Sequence, residues 1–234
     1  TGVSEGVVGS DRIIKMLNVY KDELVVEEKG IYSIEKFIVA RRLMYWQVYL
    51  HKTVLAAELM LVNILKRAKE LAERNIELFC TPALQQFLYT EYSQEDFKNN
   101  SNLLDDFAQL DDYDIMCSVK AWSKHKDFVL SRLCNDFLNR KLYKVELRQT
   151  GFDKNEIIKF KKQIASKFNI SEKETSYFVL SEAIENNAYN PKSDKINLIF
   201  KNGKISDITE ASDNFNISAI SKPVKKYVLA RVRV

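Results

Sequence analysis

Apolar residues recur at Phe37, Leu43, Met44, Val48, Leu55, Leu59, Val62 and Leu65, close to the 3.6-residue period of an amphipathic helix. No Gly or Pro interrupts the chain between Ile31 and Pro82, and Ser33 is placed to open the run. The pattern predicts one or two helices over about 40 residues, or about 60 Å at 1.5 Å per residue. It also predicts a short amphipathic helix over 11–20 with Ser10 as N-cap, and an extended piece over 23–27. A helix over 81–90 takes Thr81 as cap and Pro82 as its first residue. Helices over 102–109 and 111–139 follow, while Gly2, Gly6 and Gly9 mark residues 1–12 as irregular.

At Arg140 the period changes. Leu142, Val145 and Leu147 alternate with polar residues as in a strand. A helix over 153–168 follows, with Asp153 and Glu156 as a capping box, and Ser171 with Glu174 repeats that signature. Residues 176–182 read as a strand. Residues 195–201 and 204–208 flank Asn202–Gly203, the signal for a two-residue hairpin turn. A last strand runs over 226–233. The predicted fold is mainly α, with a helical region at 1–139 and a smaller α+β region at 140–234 that holds a mixed sheet with a hairpin.

Composition narrows this. Six Gly and three Pro leave little room for a turn-rich all-β fold, and 11 Tyr with 13 Phe predict a well-packed interior. Cys80, Cys117 and Cys134 are scattered, and read as reduced core thiols and not as a disulfide framework or zinc site. There is no run of about 18 apolar residues and no basic-then-apolar leader, so the reading is cytoplasmic with no membrane partner. The net charge of +4 is uneven: 19 Lys/Arg face 11 Asp/Glu from Asn139 onward, against 17 and 21 before it. The basic part suits phosphates or nucleic acid, or else is a solvated lysine surface. Asp105, Asp106, Asp111, Asp112 and Asp114 lack the glycine and terminal glutamate of a calcium loop, and read as charges at helix N-termini.

The only histidines, His51 and His125, have no second ligand at metal spacing, and no Gly-rich phosphate cradle or G-x-S-x-G is present. Arg41, Tyr45, Tyr49 and Lys52 are spaced 4, 4 and 3 and share one helix face. Such a stripe is a wall for an anionic ligand with a flat or sugar-like body, since arginine grips phosphate bidentately and tyrosine adds an edge and a hydroxyl. It equally suits half-buried tyrosines flanked by snorkelling cations. Arg140 and Lys144, four apart on the first predicted strand, form a second candidate phosphate contact or protect a strand edge.

The segment from Glu28 to Thr53, with R-x-x-x-[YH]-x-x-x-Y-x-H-K from Arg41 to Lys52, resembles the deoxynucleoside triphosphate triphosphohydrolases of the HD superfamily, the dGTPase-like bacterial phosphohydrolases. Asn139–Lys144 is similar to that family's R-x-L-x-K strand, and Asn186–Pro191 and Ile217–Lys222 resemble segments of its bacterial members. The resemblance implies an HD-type helical region and metal-dependent hydrolysis of a dNTP to deoxynucleoside and triphosphate. It places the His, His-Asp and Asp ligands of the divalent metal upstream of the matched region. The chain is therefore expected to be a C-terminal portion with no catalytic residue or metal ligand of its own. Its expected partners are the missing N-terminal half, further copies in a homo-oligomer, and the dNTP. By resemblance Arg41 contacts a substrate phosphate, Tyr45 stands where some relatives have His, and Tyr49 packs on the deoxyribose. His51, Lys52, Arg140, Lys144, Arg12 and Lys29 match positions that bind an activating nucleotide between subunits in some relatives. The competing reading is a non-catalytic module that binds nucleotide or nucleic acid.

Overall fold

The structure, a computed structural model, describes residues 4–186, 189–191, 195–212 and 223–233. It is mainly helical with two small sheets. The chain divides into two compact units, one of Thr1–Val54, Leu147–Gly151 and Glu182–Val228, the other of Leu55–Glu146, Phe152–Ser181 and Leu229–Val234. The compact units interleave along the sequence, and strands and helices occur on both sides of Arg140.

The first unit has a 3-10 turn at Ser4–Gly6 and then α1 (Ser10–Lys15), where Gly9, and not Ser10, stands at the N-cap. The helix predicted over 11–20 stops at Lys15 because Leu17–Tyr20 is a strand, β1, paired antiparallel with β2 (Glu23–Glu27) from Leu17↔Val26 to Tyr20↔Glu23. Lys21 and Asp22 turn this hairpin with φ of 51° and 63°. Two successive positive φ values match the twist of the flanking strands, and here they occur without the glycine that usually announces them. The sheet continues with β5 (Asn197–Ile199), parallel to β2, and β6 (Ile205–Asp207), antiparallel to β5, giving the order β1-β2-β5-β6. The turn expected at Asn202–Gly203 has three residues: the Phe200 N–H donates to the Lys204 carbonyl at 2.9 Å, and Gly203 takes the positive φ of 79°. Across this sheet lies α2 (Ile31–Met44), which buries Ile31, Ile34 and Ile38 against Val26, Tyr189, Leu198 and Ile208. The short helix α10 (Ile208–Ala211) is capped by Asp207.

The second unit is built on α3 (Lys52–Glu73), which buries Leu55, Leu59, Met60, Ile64 and Leu71. Then come α4 (Pro82–Tyr89), α5 (Gln94–Asn99), α6 (Ser101–Ala108), α7 (Asp112–Trp122) and α8 (Phe128–Leu138). Thr81 caps α4 with Pro82 in its first turn, as the sequence predicts. Ser93 with Asp96, and Asp111 with Asp114, form capping boxes at α5 and α7. The helix predicted over 111–139 is two helices, because Asp127 accepts from the Leu130 N–H at 2.8 Å and starts α8 afresh. Trp122, 1% exposed, donates its indole N–H to the Phe79 carbonyl. Beyond β3 (Lys144–Arg148), α9 (Lys154–Phe168) is capped by Asp153. A 3-10 turn at Glu174–Tyr177 takes the first half of the strand expected over 176–182, which starts instead at Val179 as β4 (Val179–Asn186). With β7 (Val224–Arg231) these form a three-stranded sheet of order β3-β7-β4, each strand of which carries a boundary of the division between the units. Cys134 is buried and its thiol is pushed up to about 12 by burial, whereas Cys117 is exposed and is not the core thiol expected. The segment Ile217–Lys222, and Asn187 and Ala188 of the segment Asn186–Pro191, lie outside the described residues.

Candidate functional site

The helix α2 does not end at Met44 by fraying. It passes into one wide turn, Tyr45–Tyr49, closed by the Leu50 N–H donating to the Tyr45 carbonyl at 2.7 Å, an i→i+5 bond. Such turns insert one extra residue into a helix and concentrate at functional sites. Here the geometry has a direct effect. In a regular helix a four-residue step overshoots a full turn by about 40°, so Arg41 and Tyr49 would diverge by about 80°. A turn that takes up one more residue absorbs the overshoot. The result is a stack: the Arg41 guanidinium carbon lies 5.8 Å from the centre of the Tyr45 ring, and the Tyr45 and Tyr49 rings lie 5.3 Å apart at 57°.

These three side chains line one open cavity of about 360 Å³, with Gly6, Val8, Phe37, Ala40 and Met44 completing its wall. Arg41 and Tyr49 are exposed and Tyr45 is half-buried. Among the described residues Arg41 has no carboxylate partner, so its charge is available to an anion. Gly6 was legible only as a breaker, yet it fits tightly: a Cβ there would stand 2.7 Å from the Met44 sulfur. Trp46, on the same wide turn, carries the Lys226 ammonium 3.7 Å above its ring. Neither Gly6 nor Lys226 gave a functional signal in the sequence.

Lys52 does not join this wall. Leu50 and His51 break the run, and the His51 Nδ1 accepts from the Thr53 N–H at 3.3 Å, starting α3 with Lys52 as its first residue. The expected four-residue stripe is therefore three residues, and His51 is engaged as a helix cap. Arg12 and Lys29 do come together, through an Arg12 N–H donated to the Lys29 carbonyl at 3.4 Å. Arg140 is not on a strand, so its expected shared parity with Lys144 does not hold. It sits one residue past the C-cap of α8 with φ of 56°. Its N–H donates to the Phe137 carbonyl, and that of Lys141 to Asp136, the bond pair of a Schellman turn. Lys144 opens β3 and is exposed. Lys52 and the pair Arg140 and Lys144 fall in different compact units.

A second arginine shows the opposite environment. Arg67 on α3 is 6% exposed. Its guanidinium grips Asp127 bidentately at 2.6 and 3.0 Å, reaches Glu70 at 3.2 Å and Glu174 at 3.5 Å, and lies 5.6 Å from the Tyr177 ring centre. The hydrogen bond that Arg67 donates to Asp127 raises the Arg67 pKa above an already high ordinary value, against the effect of burial. Burial alone would raise Asp127, but the Arg67 fork, the Leu130 N–H and the Arg67 charge together hold its carboxyl below the usual range. Nearby, Asn63 donates to the Tyr143 hydroxyl at 3.2 Å, and that hydroxyl donates to the Tyr177 carbonyl. Burial pushes the Tyr143 phenol upward. Arg67 is thus already satisfied by carboxylates and offers no free positive charge to an anionic ligand.

Residues 8–81 match the family described as the HD associated region. The uncharacterized protein YwfO of Bacillus subtilis is 29% identical over 219 residues, covering 91% of this chain and 48% of YwfO. A protein of Methanocaldococcus jannaschii is 36% identical over 84 residues, 33% of this chain and 18% of its own. The crystal structure of a phosphohydrolase from Bacteroides thetaiotaomicron superposes with a TM-score of 0.87 at 51% identity, over 99% of this chain and 58% of that one. This chain thus spans about half the length of the relatives it matches most broadly. Together the matches relate it to the HD superfamily.

Proposed function

We propose that this chain is the phosphate-clamping and sugar-facing part of a metal-dependent dNTP triphosphohydrolase. The observation that carries the reading is the convergence of Arg41, without a carboxylate partner among the described residues, with Tyr45 and Tyr49 in one cavity of about 360 Å³. The relation to the HD superfamily and the likeness to a phosphohydrolase structure support it. Arg41 holds a phosphate oxygen pair, Tyr45 orients the guanidinium from beneath, and Tyr49 lies along the deoxyribose, where a 2′-hydroxyl has no room. Among the described residues no three His, Cys, Asp or Glu side chains stand where they could hold a metal ion. The residues present do not fit the family's metal, which this reading assigns to sequence outside the chain. The steps of this chain are binding and orientation. Arg12 and Lys29, with His51, Lys52, Arg140 and Lys144, are proposed to serve an activating nucleotide in the assembled homo-oligomer.

Calorimetric titration of the chain with dNTPs and the matching ribonucleotides tests the reading. Deoxynucleotides bind more tightly than ribonucleotides, Tyr49→Ala narrows that gap, and no triphosphate is released by the chain alone. Equal binding of both sugar types, or metal-dependent hydrolysis by residues 1–234, would sink it.

A further inference from the structure

Helix α9 carries Lys154, Lys159, Lys161, Lys162 and Lys167 in 15 residues, and no carboxylate occurs between Glu156 and Glu172. Lys154, Lys159, Lys162 and Lys167 are exposed. Among the described residues none of the five has a carboxylate partner. A helix of this kind could serve a bilayer if its apolar side were free, but that side is occupied. Ile164 is 1% exposed, Phe160 lies under the Arg231 guanidinium at 4.3 Å, and Phe168 packs on Phe128 and Phe178 with ring centres 5.7 and 5.3 Å away. Insertion into a membrane interface needs just those side chains.

At 100° per residue the four exposed lysines fan over an arc of about 220° along about 20 Å of helix. Clustered like charges repel and are held at a cost unless an anion neutralises them. A flat anionic surface meets only a narrow part of such a fan. A chain of phosphates that wraps or flanks the helix meets all of it. We infer that the exposed side of α9 docks the phosphodiester backbone of a nucleic acid. The inference stands on charge and burial in α9 alone, and is independent of the hydrolase reading.

Fluorescence anisotropy of a labelled 20-nucleotide oligo(dT) and of a 20-base-pair DNA duplex, titrated with the whole chain between 50 and 200 mM salt, tests it. With four lysines neutralising phosphates and releasing the cations condensed on them, log K falls against log salt with a slope of about −3 to −4. The triple variant Lys154→Glu/Lys159→Glu/Lys162→Glu loses at least tenfold in affinity at 50 mM salt, whereas Lys120→Glu on α7 loses far less. Circular dichroism checks that each variant keeps the helical signal of the parent chain. Binding of either nucleic acid with this pattern supports the inference. No binding at 50 mM salt, an equal loss in Lys120→Glu, or binding to vesicles with 30% phosphatidylserine but to neither nucleic acid overturns it.

Discussion

Arg41 and Arg67 are both held near a tyrosine ring, at 5.8 and 5.6 Å, yet their surroundings are opposite. Arg67 is buried and shared among Asp127, Glu70 and Glu174. Arg41 is exposed, lines a cavity, and has no acid beside it among the described residues. The ring contact is therefore uninformative about role. What separates the two is whether the charge is already satisfied. A guanidinium surrounded by carboxylates closes a structure, and one left with only an aromatic neighbour is presented to something else.

The comparison breaks most visibly at Arg67. Arg67→Ala leaves Asp127 buried without its partner, and thermal or denaturant unfolding is expected to show a loss of about 3–5 kcal/mol. Arg67→Met with Asp127→Asn recovers most of it, because removing both charges spares the stranded one while the asparagine side-chain oxygen can still cap α8. Arg41→Ala acts the other way round. Loss of a charge-assisted phosphate contact costs about 1.5–3 kcal/mol, or about 10- to 150-fold in dNTP affinity, with the melting temperature nearly unchanged. Equal losses in stability and affinity would erase the distinction between the two arginines.

A subtler test uses acid. Because the native Asp127 carboxyl is held below its ordinary value, the stability it contributes is present above about pH 4 and is lost as pH falls through the lowered native value. Unfolding measured from pH 7 to pH 2 shows this decline in the parent chain, and Asp127→Asn lacks that part of it. The smallest effect concerns a third arginine. Arg140 takes a left-handed conformation that costs a non-glycine residue about 1 kcal/mol. Arg140→Gly is expected to raise stability by that amount while weakening any nucleotide-dependent rise in melting temperature. A fall in stability would mean that the Arg140 side chain itself supports the turn.

Periodic pattern and capping chemistry made much of this fold readable. Thr81–Pro82, Asp153 and the mainly α class with its smaller mixed part came directly from side chains acting on their own backbone. The losses share a cause. The β1–β2 hairpin turns on Lys21 and Asp22, residues that adopt positive φ without advertising it. The break at Leu50–His51 depends on an imidazole acting as a cap, and the break before α8 on Asp127 serving a helix and an ion pair at once. Of the candidate site, Arg41, Tyr45 and Tyr49 were legible from spacing, although an ideal helix would have splayed them. Gly6 and Lys226 reach the wide turn from far along the chain, and no local pattern encodes such a meeting.

The wide turn has a consequence for how this sequence tolerates length changes. A turn closed by an i→i+5 bond is a helix with one residue to spare. Deleting any single residue between Tyr45 and Tyr49 lets the backbone heal into an ordinary helix with no hydrogen bond forfeited, so the lesion is silent in helix content. Phase survives as well: Tyr49 then follows Arg41 by seven residues, and seven steps of about 100° fall only about 20° short of two full turns. Insertions and deletions are usually tolerated in loops and damaging in helices. At this point the usual expectation inverts, since the backbone accepts the deletion, Arg41 and Tyr49 stay aligned, and the loss is confined to the deleted side chain and to the spacing of Tyr45 and Tyr49.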